Sequence, residues 1–211
     1  MKIQEINSNQ DIIEKIFFTT EGKNFSLSKN LKFNYLALVQ DSEFNLEIQT
    51  WWEQIEWNVF LICFWKWKVI SKVKSEINNS ENKVNVFILS LLQDDNFIDV
   101  DWDIKVSKNV SNSQWHLLEK NIILWKNVKV KMSPKLDVYS QNVQATHGVS
   151  IDKINPEKKF YIESRGLSNK QAIELSIHGY IQYILEFFNT VSEPEKDEIE
   201  NTILSNIQID D

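Results

Sequence analysis

Apolar and polar residues alternate along the middle of the chain, the period expected of β-strands that bury one face. A first alternating set is followed, after a short polar stretch, by a second, and both are rich in residues that favour strands. These sets are Leu31, Phe33, Tyr35, Ala37 and Val39, then Phe44, Leu46 and Ile48. Residues 31–48 are therefore predicted to form two strands.

The strand pattern continues to residue 138. Trp51–Val73 is rich in aromatic and β-branched residues, and Ser75–Lys83 is predicted to be a loop because most of it is polar. Further alternating sets follow: Val84, Val86 and Ile88; Ile98, Val100 and Trp102; Ile104 and Val106; Ile122 and Leu124; Val128 and Val130; Leu136 and Val138. Such a succession of short strands fits a sandwich, a barrel or a β-solenoid, and the pattern alone does not choose among them.

Near the amino terminus the apolar period changes to that of a helix. Four apolar residues recur at helical spacing behind Asn9 or Asp11, either of which would serve as a helix cap. They are Ile12, Ile13, Ile16 and Phe17. We therefore expect an N-terminal helical segment over residues 1–24, followed by the β body over residues 25–154.

Residues 155–211 are predicted to be helical. Asn155-Pro156-Glu157 has the cap, the proline and the acid of a helix start, and Arg165-Gly166 marks the helix end. Ser168 and Gln171 have the spacing of a capping box, and Ser192-Glu193-Pro194-Glu195 begins a third helix. The apolar faces expected are Ile173, Ile177, Ile181, Ile184, Leu185 and Phe188 for the second helix, and Ile199, Ile203 and Leu204 for the third.

Composition and charge exclude several classes of protein. The chain has 211 residues, enough for one medium domain with a helical appendage. Its formal net charge of −7 argues against a nucleic-acid-binding surface, and its single cysteine excludes an internal disulfide and a CxxC metal site. The longest apolar run, Val59–Trp65, is too short to span a membrane, and no secretory leader is recognisable. We expect a cytoplasmic protein.

Three further sequence features each allow a structural and a functional interpretation. Asp99, Asp101 and Asp103 alternate, so their carboxylates share one strand face; a solvated face that discourages edge pairing is favoured over a cation site. The cluster Trp51, Trp52, Trp57, Trp65 and Trp67, interleaved with Lys66 and Lys68, favours core and rim packing over a stacking surface. Cys63 lies in an apolar run and is interpreted as a core thiol.

Three motifs near the carboxyl end carry a family resemblance. They are Pro134-Lys135-Leu136-Asp137-Val138-Tyr139, then Ala145-Thr146-His147-Gly148, in which Thr146-His147-Gly148 is predicted to be a turn, and Phe160-Tyr161-Ile162-Glu163-Ser164-Arg165-Gly166. Their order and spacing resemble the carboxyl-terminal signature of the SufB/SufD family, the scaffold proteins of SUF iron–sulfur cluster assembly. The resemblance covers roughly Ile104–Phe188.

Within that family the chain is more similar to the SufD branch. Gly148 follows His147, where SufB-like members usually carry an acid, and Ala145 stands where many SufD proteins have cysteine. The resemblance implies a right-handed parallel β-helix, shortened at its amino end, with a C-terminal helical segment. It also implies that His147 faces a SufB partner, as a metal ligand at a transient iron–sulfur cluster.

The resemblance further implies that the C-terminal helices dock the SufC ATPase, with Phe160, Tyr161, Ser164, Arg165 and Gly166 as the candidate partner-binding residues. Tyr161 and Arg165 are four residues apart, neighbours on a helix. The sequence has no P-loop, GxSxG or HExxH motif, so the chain is predicted to be a non-catalytic scaffold without a stably bound cofactor. A SufB-like homodimer, and a β-helical polysaccharide-acting enzyme using the acidic strand face, remain as alternatives.

Overall fold

The computed structural model describes residues 3–6, 12–19, 23–27, 32–39, 43–50, 53–64, 68–93, 97–124 and 127–207. Within these residues there are twelve β-strands followed by three α-helices. The strands are β1 (Ile3–Ile6), β2 (Ile12–Thr19), β3 (Lys23–Leu27), β4 (Lys32–Val39), β5 (Glu43–Thr50), β6 (Glu56–Phe64), β7 (Lys68–Ile77), β8 (Lys83–Leu92), β9 (Phe97–Val106), β10 (Ser113–Ile123), β11 (Lys129–Val138) and β12 (Val143–Lys153). The helices are α1 (Pro156–Glu163), α2 (Asn169–Leu185) and α3 (Glu193–Ser205).

The strands form two parallel sheets, and the chain alternates between them. Sheet A has the order β1-β3-β5-β7-β9-β11, and sheet B has the order β12-β10-β8-β6-β4-β2. Each strand therefore lies in the sheet opposite to that of the strand before it. We call an odd strand and the even strand after it a layer; β11 and β12 form the terminal layer.

An apolar core fills the space between the sheets. Trp57, Trp102 and Trp115 are completely or almost completely buried there, with aliphatic side chains from both sheets. Within each layer the inward residues alternate with outward ones, as the strand period requires. The burial pattern of β9, in which every second residue is buried, shows this period.

The outer face of sheet B is covered by the helical tail. Leu36, Phe60 and Leu89 of the sheet pack with α2 and α3 in a second core, and the Phe60 ring centroid lies 4.8 Å from that of Phe187. The apolar faces predicted for α2 and α3 are confirmed: all of their members are buried except Leu204, which is partly buried. Each buried isoleucine there contributes roughly 1.5–3 kcal/mol relative to an exposed one.

The predicted helix punctuation is confirmed. The Asn155 side chain accepts from Glu157 N at 2.9 Å and from Lys158 N at 3.1 Å, and Pro156 occupies the first turn. Ser168 and Gln171 form a capping box at the start of α2, and Gly166 between α1 and α2 has φ of 90°. None of the helices that the structure describes is long and apolar enough to cross a bilayer.

The predicted N-terminal helix is wrong. Residues 12–19 form β2, which pairs in parallel with β4 from Ile12↔Lys32 to Thr19↔Val39, and β1 and β3 lie in residues 1–27 as well. Ile13 is in register with an inward residue of β4, whereas Ile16 is in register with Leu36 on the helix-covered face. A strand with apolar residues on both faces imitates the spacing of a helix, which explains the error.

Two strand boundaries also differ from the prediction. The loop predicted over Ser75–Lys83 is shorter, because β7 continues to Ile77 and β8 begins at Lys83. Ile98–Val106, predicted as two sets, is one strand.

Candidate functional site in the terminal layer and the first helix

His147 lies in the middle of β12, so the predicted turn at Thr146-His147-Gly148 is wrong. β12 pairs continuously with β10 from Ser113↔Val143 to Ile123↔Lys153, which leaves no room for a turn. His147 is in register with Leu117, a buried core residue, and therefore takes an inward-facing position. It is nevertheless exposed, since the described residues place no strand beyond β12 in sheet B.

Exposed apolar side chains share the open end of the sheet with His147. Val149 and Ile151 take the next inward positions on β12, and Val138 takes one on β11 in register with the core residue Val106. All three are substantially exposed. The terminal layer therefore presents core-type side chains to the outside, an arrangement that favours coverage by another surface.

The residues around His147 differ in the face that they occupy. Ala145 points inward with His147, and it packs against the core between the sheets. Gly148 points to the outer face, where an added Cβ would lie 3.4 Å from Leu118 Cδ1, an ordinary contact. The glycine is therefore not required by space or backbone conformation. A cysteine at position 145 would share the face of His147.

The aromatic motif of α1 is exposed. Phe160 is 72% exposed and Tyr161 is 59% exposed, and Ile162 is the buried residue of this helix. Arg165 Nη2 donates to Tyr161 Oη at 2.9 Å, and the guanidinium lies 5.1 Å from the centre of the same ring. Ser164 Oγ donates to Tyr161 O at 2.7 Å. The pairing of Tyr161 and Arg165 predicted from their spacing is confirmed.

A row of polar side chains crosses the outer face of sheet B, and the sequence analysis missed it. This polar row is formed by one residue from each strand in register: Glu14, Asn34, Asn58, Asn85, His116 and Thr146. Asn85 donates to Asn58, and Asn58 donates to Asn34, both at 2.9 Å. At the open end His116 Nδ1 lies 2.7 Å from Thr146 Oγ1. The available signal was an asparagine recurring once per layer within apolar strands.

The polar row ends at the loop between α2 and α3. Glu14 accepts hydrogen bonds from Asn189 N at 2.9 Å and Thr190 N at 2.7 Å, and the Thr190 hydroxyl donates to it as well. Asn34 Nδ2 donates to Phe187 O at 2.6 Å. The hydrogen bonds from Asn85 to Glu14 thus connect β8 with the docked helical tail, and the register alone continues the row to β12, the strand that carries His147.

A second missed feature lies inside the last layers. Glu119 of β10 is completely buried, and Trp102 Nε1 donates to its Oε2 at 3.0 Å. Burial raises the pKa of Glu119 to about 7, although the hydrogen bond from Trp102 and the neighbouring Asn121 side chain act in the opposite direction. An isolated glutamate in an apolar strand pattern was the only sequence signal.

The acidic strand face has no arrangement suited to a metal ion. Lys131 Nζ lies 2.9 Å from Asp99 Oδ2, so the first carboxylate is paired with a lysine. The register also places lysines beside the other two: Lys72 is opposite Asp101, and Lys74 and Lys135 lie on either side of Asp103. No group of three or more His, Cys, Asp or Glu side chains able to hold a metal occurs in the described part of the chain. The predicted shared face is confirmed, but β9 pairs on both sides and is not an edge strand.

Of the tryptophan cluster, Trp57 is the member that the described residues include. Trp57 is buried in the core, as the packing interpretation predicted, and Cys63 is also buried. Trp51, Trp52, Trp65, Trp67 and Lys66 lie outside the described residues.

The two predicted site motifs lie on consecutive elements. Only Ile154 and Asn155 separate β12, which carries His147, from α1, which carries the aromatic motif. Among the described residues no hydrogen bond or ion pair joins His147 to the α1 motif. The structure therefore presents two separate exposed surfaces: the terminal layer and the aromatic face of α1.

Comparison with known proteins identifies related sequences. The model of the family described as "SUF system FeS cluster assembly, SufBD core domain" matches residues 68–180. The iron-sulfur cluster assembly protein SufD of Escherichia coli (strain K12) is 25% identical over 83 residues, 39% of this chain and 20% of that protein. The SufBD family protein ycf24 of Galdieria sulphuraria is 31% identical over 81 residues, 38% of this chain and 37% of that protein.

A third relative, the SufBD family protein slr0076 of Synechocystis sp., is 30% identical over 69 residues, 33% of this chain and 15% of that protein. The matched segments thus span well under half of these relatives. The family model, by contrast, matches more than half of the 211 residues and runs from β7 into α2. The resemblance seen in the three motifs is confirmed, and the chain belongs to the SufBD family of iron–sulfur cluster assembly proteins.

Proposed function

We propose that this chain is a SufD-like scaffold subunit of the SUF machinery, working with a SufB-like scaffold and a SufC-like ATPase. The observation that carries the proposal is the terminal layer. There His147 occupies an inward yet exposed position, and exposed apolar residues lie on the same layer. Such an end needs a covering partner, because it offers unsatisfied strand edges together with core-type side chains.

The fold that we propose is a right-handed parallel β-helix with a C-terminal helical segment. The alternation of strands between two parallel sheets supports it, since each layer continues the core of the layer before it. A chain wound in this way has two ends, and the end formed by β11 and β12 carries the family motif with His147.

The SufB-like partner would bind the terminal layer. Val138, Val149 and Ile151 would then be buried in the contact, and His147 would lie at its centre. A neutral imidazole is a suitable ligand for iron, and a second shell in the partner would orient it. Because the described residues contain no group of three or more ligand-type side chains, the partner must supply the other ligands of a transient iron–sulfur cluster.

The SufC-like ATPase would bind α1 and its C-terminal turn. Phe160 and Tyr161 offer a large exposed aromatic surface, and Arg165 is held beside Tyr161 by a hydrogen bond. Aromatic residues and arginine are the types most enriched at the centres of protein interfaces. ATP-driven dimerisation of the ATPase would then strain the contact between the two scaffolds and open it at His147. In this account the chain itself performs no catalysis.

The alternatives have less support. A SufB-like homodimer would use the same terminal layer, but Gly148 occupies the position where SufB-like members usually carry an acid. A polysaccharide-acting enzyme would need an acid or cation site on β9, whose carboxylates instead lie opposite lysines of β7 and β11.

Co-purification tests the proposal. We would purify the tagged chain from its own cell with its SufB-type scaffold and SufC-type ATPase, and compare Tyr161→Ala/Arg165→Ala and His147→Ala. The expected result is recovery of both partners, with loss of the ATPase alone in the helix variant and with iron lost in the histidine variant. Leu175→Ala, an exposed apolar change on α2, is the control. Failure of a folded bait to recover either partner would contradict the proposal.

A further inference from the structure

The interior of the last two layers contains a polar cluster that crosses four strands. Trp102 of β9 donates to Glu119 Oε2 of β10 at 3.0 Å. Asn121, two residues further on the same inward face, donates from Nδ2 to Ser150 O of β12 at 3.1 Å, and the same nitrogen lies 3.3 Å from Met132 Sδ of β11. Glu119 and Asn121 are both 0% exposed. The cluster therefore ties the terminal layer to the layer beneath it.

Two acceptor atoms in this cluster have no hydrogen-bond partner among the described residues: Glu119 Oε1 and Asn121 Oδ1. Burying an acceptor without a donor costs roughly as much as a lost hydrogen bond. Ser90, in register with Asn121, is not the missing donor, because its own hydroxyl is also unpaired in this part of the structure. Rotating the Asn121 amide by a half turn would set Oδ1 against the Ser150 carbonyl, an unfavourable contact between two acceptors.

We propose that Glu119 is held as a neutral carboxylic acid whose O–H, on Oε1, donates to Asn121 Oδ1, and that this proton makes Glu119 a positioning residue for β12. One proton satisfies both unpaired acceptors. It also fixes the Asn121 amide in the orientation that places Nδ2 on the Ser150 carbonyl. The cluster then has a donor for every buried acceptor, the condition under which a buried polar network stabilises a fold.

The surroundings of Glu119 favour the neutral form. In register on either side are Ile88 of β8 and Val149 of β12, and the facing residue of β9 is Trp102, none of which carries charge. The inward positions of β11 next to it are also uncharged; Met132 is one of them. The titratable side chains at inward positions of β12 are His147 and, at the strand end, Lys153. Burial raises the pKa of Glu119 to about 7.

Ionisation of Glu119 would change what Asn121 does. A buried carboxylate needs donors on both oxygens, and the Asn121 amide, which acts to lower the pKa of Glu119, offers neighbouring N–H groups. Turning them toward Glu119 releases the Ser150 carbonyl and loosens β12. Loosening of β12 would also affect His147, which lies three residues before Ser150, and that consequence rests on the proposed function. The proposed proton between Glu119 and Asn121 does not depend on the proposed function.

The experiment measures hydrogen exchange of the β12 amides, Val143–Lys153, in the full chain from about pH 5 to about pH 8.5, expressed as protection factors. In the open state Glu119 meets water with its ordinary pKa of 4.5, whereas the closed state holds the proton up to about 7. The closed state therefore loses stability as pH rises between these values. The opening constant of β12 should rise by about tenfold per pH unit in this window and level off above it.

Glu119→Gln is the decisive variant. Its amide N–H would donate to Asn121 Oδ1 as the neutral acid does, and its oxygen would accept from Trp102, so protection of β12 should be retained and become independent of pH. Glu56→Gln, at an outward position on β6, should keep the wild-type pH profile. A flat wild-type profile, or a Glu119→Gln profile as steep as the wild type, would overturn the inference.

A second readout covers the case in which Glu119→Gln does not fold. Infrared spectra of the wild-type chain at about pH 6 should contain the carbonyl stretch of a protonated carboxylic acid, which should disappear above about pH 8. Absence of that band in folded protein would overturn the inference. Both measurements use the chain alone, so failure to bind a SufB-like or SufC-like partner would leave their outcome unchanged.

Discussion

Asn58 Nδ2 lies 2.9 Å from Asn34 Oδ1, and both side chains are completely buried beneath the helical tail on the outer face of sheet B. Asn85 repeats the bond to Asn58 at the same distance. Every amide donates in the same direction, toward the Glu14 carboxylate, so the polar row ends on a charge that the α2–α3 loop also binds. The row therefore helps to dock the helical tail on the sheet.

Removing the middle asparagine should be costly. Asn58→Ala leaves Asn34 Oδ1 and Asn85 Nδ2 without their partner, so we expect a loss of about 2–3 kcal/mol in the free energy of unfolding. Asn142→Ala is the matched control, because it breaks an asparagine–asparagine bond of 3.0 Å that is exposed, and it should cost less than about 1 kcal/mol. Urea denaturation of both variants checks this. Equal losses of unfolding free energy would mean that the buried asparagine bonds stabilise the fold no more than an exposed one.

Glu14 should make the docking of the tail sensitive to acid. Burial acts to raise its pKa, but hydrogen bonds from Thr190, Asn189 and Asn34 outweigh burial and hold the pKa below its ordinary value of 4.5. The stabilisation of the docked tail by ionised Glu14 is therefore present above pH 4.5 and is lost as pH falls through the lowered pKa. Glu14→Gln should cost about 1 kcal/mol at neutral pH and remove that part of the acid dependence.

Limited proteolysis between α2 and α3 measures this effect, because an undocked loop is cleaved faster. The wild type should become more susceptible toward about pH 4, whereas Glu14→Gln should be susceptible already at pH 7. A wild-type profile identical to that of the variant would show that the Glu14 contacts do not hold the loop.

Two glycines should respond in opposite directions to the same substitution. Gly166 has φ of 90°, so Gly166→Ala is strained and should cost about 1–2 kcal/mol although no atom lies within 4 Å of the new methyl group. Gly179 lies inside α2 with open space beside it, so Gly179→Ala should stabilise the chain by about 0.5–1 kcal/mol. Thermal unfolding of the two variants checks the sign of each change. Stabilisation by Gly166→Ala would contradict the assigned turn.

How much of this structure the sequence predicts depends on how local the signal is. The helix starts at Asn155 and Ser168 and the end at Gly166 were predicted correctly, because capping depends on residues within one turn. The prediction of an N-terminal helix was wrong, because β2 pairs with β4 about 20 residues later and Ile16 packs against the core beneath the helical tail. Propensity and period do not report such long-range pairing.

The candidate site divides in the same way. His147 and the Tyr161–Arg165 pair could be selected from their motifs, and the latter contact follows from helical spacing alone. The position of His147 within a strand could not be predicted from its motif, because it depends on the register with β10, some 30 residues earlier. The polar row and the contacts of Glu119 could not be predicted either, since their partners lie on other strands and only the pairing of those strands brings them together.

Binding of the purified chain to a SufB-like scaffold tests the central claim most directly. Ile151 at the terminal layer is 51% exposed and Leu175 on α2 is 49% exposed, so Ile151→Lys and Leu175→Lys introduce the same charge at equally accessible apolar positions. The account predicts that Ile151→Lys weakens the complex by on the order of 30-fold in an equilibrium titration, the cost of about 2 kcal/mol at an interface centre, and that Leu175→Lys does not weaken it. Equal affinity of Ile151→Lys and the wild type, with both folded, would contradict it.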